Sequence, residues 1–319
     1  MSSYDFEIDR ALKEVGSRGA KRVLIQAPDG LKQYVKELHS KLRAEGITAV
    51  VSANPCYGGC DLAEDEGAAV GADLVLHIGH LKFSERADKF ATVYLPAPHI
   101  ADVKPLIAMA AEFLGERKVR SVGLVANTQH LACIVEFKEG LERAGIRPVV
   151  DGASGGLVLG CRTGAASRIE GDVDAILFIG GGEFHALGVA MAVDKDVYAA
   201  DPYRTEIRDM GLLKRKTLAR RWWAIMEAAK AKSFGIVVVA KSGQFDMDGA
   251  MRVAGALEER GREVFLISTV EASWDRLSGF SFVDAFIITG CPRVSVDNQE
   301  NFPKPVLAMA EAEELLKRV

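Results

Sequence analysis

Three apolar, β-branched stretches, KRVLIQAPDG from Lys21, RSVGLVANTQ from Arg120 and FGIVVVAKSGQ from Phe234, each run into a polar or glycine-containing loop. Runs of that kind predict buried strands. Behind each lies a segment whose apolar residues recur every three or four positions, lining one helix face: Leu31, Val35, Leu38 and Leu42; Ile134, Phe137 and Leu141; Ala250, Val253 and Leu257. The helical segments close alike, in KLRAEGITAVV, GLERAGIRPVV and ALEERGREVFL, placing Gly46, Gly145 and Gly261 where a helix-ending residue takes a positive φ. A second strand follows in each copy, GADLVLHIGH, DVDAILFIGG and FVDAFIITGC, with Asp73, Asp174 and Asp284 just ahead and Gly79, Gly180 and Gly290 at its end. The copies finish in TVYLPAP, DVYAADP and PVLAMAE. Strand-helix-strand order recurring at about 100 residues predicts an α/β protein of three homologous small domains with parallel sheets. We place the repeats at residues 1–103, 104–205 and 206–319. LLKRKTLARRWWAIMEAAKAK, Leu212 to Lys232, reads as an amphipathic connecting helix whose tryptophan face packs, in preference to a docking surface for an acidic partner.

The five cysteines, Cys56, Cys60, Cys133, Cys161 and Cys291, are odd in number and too scattered for a disulfide framework. Repeat position separates them. Cys60 precedes Asp73, and Cys161 precedes Asp174, by thirteen residues (161 − 60 and 174 − 73 both give 101), so the two are equivalent. Cys291 directly follows the strand-ending Gly290, where the other copies carry His80 and Gly181. All three are expected on loops near sheet edges, and sites in open α/β sheets gather at strand carboxyl ends. With the domains arranged around a pseudo-threefold axis and these ends inward, one thiol from each meets the others at the centre. Thiolate-only ligation suits zinc with a bound water, or an iron-sulfur cube that keeps one iron free of protein ligands. The glycine-rich settings CYGGCD, LGCR and TGCPR let backbone approach a bulky group closely, and Pro292 stiffens the turn that aims Cys291. Cys133 falls inside the second helix and is read as core. Cys56 forms C-x-x-x-C with Cys60 and is either an alternative ligand or a plain loop thiol.

A formal charge of −4 argues against a partner held by phosphate neutralisation, so no direct nucleic-acid binding is expected. No stretch stays apolar for about 20 residues, and MSSYDFEIDR lacks a basic leader followed by an apolar run. The expectation is a cytoplasmic protein with no membrane partner.

In VLIQAPDGLK, YGGCD, LGCR with ILFIGGGEFHALGVA, AADPY, VVAKSGQ and GCPRVSVDN, the chain resembles the diphthamide-biosynthesis family in its archaeal single-subunit form. The resemblance spans nearly the whole chain. It implies three homologous domains that each supply one cysteine, here Cys60, Cys161 and Cys291, to a 4Fe-4S cluster, and it implies a homodimer. It further implies transfer of the 3-amino-3-carboxypropyl group of S-adenosylmethionine to imidazole C2 of a histidine in translation elongation factor 2. Methylthioadenosine leaves, an electron donor is needed, and the open iron of the cluster serves the cleavage. Cys56 departs from the family pattern, and the usual radical-enzyme signature C-x-x-x-C-x-x-C is absent. The competing readings are a quinolinate synthase-like iron-sulfur dehydratase and a non-catalytic zinc or ligand-binding protein.

On the family reading, S-adenosylmethionine needs donors, acceptors and an apolar slot from the strand-end loops. The candidates are Gln26, Asp29 and Gly30; Tyr57; Asn127, Thr128, Gln129 and His130; Pro202; and Lys241, Ser242, Gly243 and Gln244. Gly180, Gly181 and Gly182, followed by Phe184 and His185, offer backbone N–H groups for a carboxylate or ribose. His185 is a candidate for contacting the methionine end or passing a proton, and His80 occupies the repeat position of Cys291. Asp297 and Asn298, after the Cys-Pro turn, are candidates for orienting substrate.

Overall fold

Each predicted strand-helix-strand copy builds a parallel sheet of the same order. The computed structural model describes residues 3–83, 89–297 and 299–319, and Asn298 therefore lies outside the described residues. The first sheet contains β1 (Arg22–Gln26), β2 (Thr48–Val51), β3 (Leu74–Ile78) and β4 (Thr92–Leu95), in the order β2-β1-β3-β4. The second adds β5 (Ser121–Ala126), β6 (Arg147–Val149), β7 (Ala175–Ile179), β8 (Asp196–Asp201) and β9 (Glu206–Asp209), ordered β6-β5-β7-β8-β9. The third has β10 (Ser233–Val239), β11 (Glu263–Thr269), β12 (Ala285–Ile288) and β13 (Val306–Ala308), ordered β11-β10-β12-β13. In every sheet the first strand of the copy sits between the second and third. The central strands are buried along almost their whole length, which is why they read as unbroken apolar runs rather than alternating ones.

The contacts divide the chain into two units, Met1–Gly211 with two of the sheets and Leu212–Val319 with the third. β9 is the departure from the expected all-parallel design. It pairs antiparallel with β8 and carries the second sheet past residue 205, where the repeat pattern alone ended that copy.

The repeat's punctuation has physical causes. Gly46, Gly145 and Gly261 take φ of 77°, 79° and 72°, the left-handed conformation that ends a helix without a Cβ penalty. The three aspartates make one clamp in triplicate. Asp73 Oδ2 accepts from the backbone N–H groups of Lys21 and Arg22 at 2.7 and 2.8 Å. Asp174 Oδ2 accepts from those of Arg120 and Ser121, both at 2.9 Å, and Asp284 Oδ2 from those of Lys232 and Ser233 at 2.9 and 3.1 Å. Each carboxylate thus ties the start of its third strand to the start of the central one, and these N–H donors hold all three carboxyls below their ordinary value.

The predicted helices form, with one interruption. Ile134, Phe137 and Leu141 lie buried on Cys133–Arg143, and Ala250, Val253 and Leu257 on Met247–Glu258. In the first copy the helix is broken into Asp29–Lys32 and Lys36–Ala44, yet Leu31, Val35, Leu38 and Leu42 all reach the core. Cys133 is a core residue as read, packed with Phe137 and Leu141.

The connecting helix Gly211–Ala228 corrects an expectation. Its tryptophans do not enter the core: Trp222 is 47% and Trp223 59% exposed, with the Arg318 guanidinium 5.1 Å from the Trp222 ring centroid. The buried member is the cation beside them, Arg221, at 3%. Its Nε donates to Glu311 Oε1 (2.7 Å), one terminal nitrogen to Ser295 O (2.7 Å) and Gln299 Oε1 (3.0 Å), and the other to Val306 O (2.7 Å) and Glu311 Oε2 (2.6 Å). All five guanidinium N–H groups are used, as a buried cation requires. No helix among the described residues is long and apolar enough to cross a membrane.

Candidate metal and substrate site

The cysteines equivalent by repeat position sit on equivalent loops. Cys60 is half-buried in the loop that follows β2, and Cys161 is exposed in the loop that follows β6. Close packing explains the glycines around them. A Cβ on Gly59 would stand 2.3 Å from the Leu81 carbonyl oxygen, and one on Gly160 would stand 2.3 Å from the Phe184 ring. The helix Phe184–Ala192 approaches the second loop so closely that a Cβ on Gly188 would lie 2.5 Å from the Gly160 carbonyl.

Phe83 links the two loops. Its backbone N and Cβ lie 3.3 and 3.4 Å from where a Gly59 Cβ would be, while the Arg162 guanidinium sits 3.7 Å from its ring centroid and also donates to its carbonyl. Gly59 is the neighbour of Cys60 and Arg162 the neighbour of Cys161. The residues flanking the two equivalent thiols therefore share one contact.

In the unit Leu212–Val319, Cys291 is half-buried at the carboxyl end of β12. Its backbone N–H donates to Gln244 Oε1 at 3.2 Å, so the VVAKSGQ loop fixes the Gly-Cys-Pro turn. Gly290 is confined by Val239, 2.6 Å from where its Cβ would be. Burial pushes the Cys291 thiol above its ordinary value, opposed by nearby N–H groups and the Arg293 cation. Asp297 does not stand free after the turn: Arg293 grips it through two bonds of 2.6 and 2.9 Å. Burial raises its carboxyl and the guanidinium opposes that.

The remaining candidates fall into two sets. Several have internal partners. Gln26 is 2% exposed; its amide nitrogen donates to Asp61 O (2.6 Å), and its oxygen accepts from Ala63 N (3.1 Å) and faces His77 Nδ1 (2.7 Å). Asn127 and Thr128 are buried, Asn127 Oδ1 lies 2.8 Å from His130 Nδ1, and His130 Nε2 lies 3.2 Å from His99 Nδ1. Gln129 donates to the Gly79 carbonyl. Asp29 is paired with Lys32 at 2.7 Å. Of the triple-glycine loop, Gly182 N–H donates to the buried Asp201 at 3.2 Å, and the Tyr203 ring covers Gly181.

The second set is accessible. Tyr57 is 62% and Phe184 42% exposed, and Gly30 has open space over it. His185 is half-buried, stacked on Phe178 with ring centroids 6.0 Å apart. Pro202, Lys241, Gly243 and Gln244 are half-buried on their loops, and Ser242 is exposed.

One constellation escaped the sequence reading. Cys56 is not a plain loop thiol: it is buried, with His80 Nδ1 3.9 Å from its Sγ, and His77 Nε2 lies 3.1 Å from that same His80 nitrogen. The donor atoms of the three residues all lie within 4.8 Å of one another. Burial, with the nearby Asp61 charge, pushes the Cys56 thiol up to about 12, while burial pushes His77 down to about 3 and His80 to about 4. The signal available in the sequence was HIGH, which puts His77 in a buried strand three residues before His80.

Fold and site together define a three-repeat α/β protein that presents one thiol per repeat on a glycine-flanked loop. Residues 27–319 match the family model of the diphthamide synthesis protein. The chain is 36% identical over 312 residues to the 2-(3-amino-3-carboxypropyl)histidine synthase of Pyrococcus horikoshii, covering 96% of this chain and 88% of that one. It is 27% identical to the enzyme of that name from Methanocaldococcus jannaschii, over 98% of this chain and 90% of that one. The crystal structure of Dph2 from Pyrococcus horikoshii with a 4Fe-4S cluster superposes with a TM-score of 0.88 at 34% identity, covering 98% of this chain and 91% of that chain. This chain belongs to the diphthamide synthesis family.

Proposed function

We propose that this chain transfers the 3-amino-3-carboxypropyl group of S-adenosylmethionine to imidazole C2 of a histidine in translation elongation factor 2. Cys60, Cys161 and Cys291 hold a 4Fe-4S cluster on this reading, which rests on the shared Phe83 contact between the loops of the two equivalent thiols. The donor set fits: three thiols at glycine-flanked turns are soft ligands, and a cube held by three of them keeps one iron for substrate. When bound and reduced by a one-electron donor, the cluster supplies the electron that breaks the sulfur–γ-carbon bond and releases methylthioadenosine.

The protein's own part is positioning. Gln244 anchors the turn that aims Cys291, and Arg162 on Phe83 fixes the loop beyond Cys161. The exposed Tyr57 and Phe184 and the half-buried His185, with Lys241, Gly243 and the backbone of Gly181, are assigned to S-adenosylmethionine. Gln26, Thr128 and Asp297 act by holding those loops, since they are buried or bonded internally. A protein substrate, a second copy of the chain and an electron donor complete the partners, in the cytoplasm.

The test is anaerobic reconstitution with iron and sulfide, reduction with dithionite and addition of S-adenosylmethionine, followed by visible and electron-paramagnetic-resonance spectra and adenosine-product analysis. The expected result is a brown protein that releases methylthioadenosine and loses its cluster on Cys60→Ala, Cys161→Ala or Cys291→Ala. A colourless protein indifferent to all three changes would overturn the reading.

A further inference from the structure

We propose that Cys56, His77 and His80 form a second, separate metal site, one that takes a single zinc-like divalent cation and clamps the Cys60 loop to the end of β3. The separations fit the coordination. Around zinc, bonds of about 2.0–2.1 Å to nitrogen and about 2.3 Å to sulfur in a tetrahedron put nitrogens roughly 3.3 Å apart and nitrogen and sulfur roughly 3.6 Å apart. The structure has 3.1 Å between His77 Nε2 and His80 Nδ1, and 3.9 Å between His80 Nδ1 and Cys56 Sγ, each within a few tenths of an ångström.

A second observation points the same way. Metal-bound histidines characteristically donate their other ring N–H to a fixed acceptor, which sets the tautomer. Gln26 makes that arrangement at His77. Its amide nitrogen donates to Asp61 O and its oxygen accepts from Ala63 N, so the oxygen 2.7 Å from His77 Nδ1 is an acceptor and that ring nitrogen carries the proton. His77 Nε2 is therefore a bare lone pair directed at the cluster of donors. Without metal, His80 answers it with its Nδ1–H.

Binding balances simply. The cation displaces the Cys56 thiol proton, which leaves to solvent, and the His80 proton moves from Nδ1 to Nε2. One proton is released per cation, with no redox change. A borderline cation suits one sulfur and two nitrogens, and hard cations do not. Cys56 lies in the loop that also carries Cys60, while His77 is in β3 and His80 just beyond it, so closure ties that loop to the sheet.

The experiment separates this site from the proposed cluster. The full-length Cys60→Ala/Cys161→Ala/Cys291→Ala triple variant, which lacks the cluster thiols, is titrated anaerobically with cobalt(II), then zinc. One cobalt per chain is expected, with tetrahedral d–d bands and a thiolate-to-cobalt charge-transfer band bleached by zinc. One proton should be released, and melting temperature should rise with zinc. Adding Cys56→Ser should abolish the charge-transfer band, and adding His80→Gln should weaken binding at least tenfold, with far-UV circular dichroism reporting whether each variant is folded. Absence of cobalt binding to the folded triple variant overturns the site, as does an undiminished charge-transfer band after Cys56→Ser. Neither result depends on whether the cluster reading holds.

Discussion

Replacing Arg221 by Ala should destabilise the unit Leu212–Val319 by about 3–5 kcal/mol, the range for removing one member of a buried ion pair. The magnitude follows from what is left behind. Arg221 is 3% exposed and makes five hydrogen bonds, to both Glu311 oxygens, Gln299 Oε1 and the carbonyls of Ser295 and Val306. Its loss leaves the Glu311 carboxylate with the Ala308 N–H alone and takes a donor from the Ser295 and Val306 carbonyls and from Gln299 Oε1, each acceptor left unsatisfied costing about 1–3 kcal/mol. The Glu311 side chain keeps 18% exposure, so partial rehydration holds the total within that range. Arg221→Lys offers three donors in place of five, and losing two bonds at about 0.5–1.5 kcal/mol each predicts a cost of roughly 1–3 kcal/mol. The sequence supplies the assay, because all three tryptophans, Trp222, Trp223 and Trp274, lie in this unit. Urea unfolding followed by tryptophan fluorescence therefore reports on it selectively. Trp223→Ala, at a 59% exposed position, serves as the control and should change stability by no more than about 0.5 kcal/mol. A cost below about 1 kcal/mol for Arg221→Ala, or a larger cost for the tryptophan, would refute the reasoning.

Two further predictions concern glycine packing and acid stability. Gly188→Ala forces a Cβ to within 2.5 Å of the Gly160 carbonyl and should destabilise by about 1–3 kcal/mol, displacing the Cys161 loop, whereas Gly255→Ala, with open space above a helix interior, should stabilise by about 0.5–1 kcal/mol. Thermal melts of both variants check this, and equal effects would contradict it. Burial, reinforced by neighbouring His99, pushes His130 from 6.5 to about 4, so the stability it contributes is complete above pH 6.5 and is lost as pH falls toward 4. His130→Gln should flatten the stability-against-pH curve in that window, by up to about 1.4 kcal/mol per unit; parallel curves for the two proteins would dismiss the idea.

What the sequence revealed was what repetition and periodicity encode. Buried parallel strands are continuous apolar runs, helix-ending glycines recur at a fixed place, and Asp73, Asp174 and Asp284 stood out because one backbone clamp was needed three times. The equivalence of Cys60 and Cys161 came from the same arithmetic, since residues thirteen positions before equivalent aspartates must occupy equivalent loops. β9 stayed hidden because it belongs to one copy only and is paired by its neighbour β8 rather than by any repeat. Arg221 misled for a related reason. In a run of cations beside two tryptophans, local composition assigns the aromatic face to the core. The winner is instead the side chain whose five donors meet acceptors from residues 295 to 311, partners that no helical period can display.

The cysteines show where sequence reasoning stops. C-x-x-x-C invites a comparison of Cys56 with Cys60, four residues apart on one loop, as if they competed for one role. Folding gives Cys56 a histidine pair of its own. The β1–β3 register sets Gln26 opposite His77, so the first strand's last residue orients a histidine on its neighbour, and the turn after β3 then brings His80 against Cys56. Gln26 thus becomes intelligible as a support inside the first repeat: at 2% exposure its amide holds Asp61 O, Ala63 N and the His77 ring. The choice between packing and ligation for each polar residue at a strand end is made across strands, by register, and register is the quantity a single chain's pattern leaves implicit.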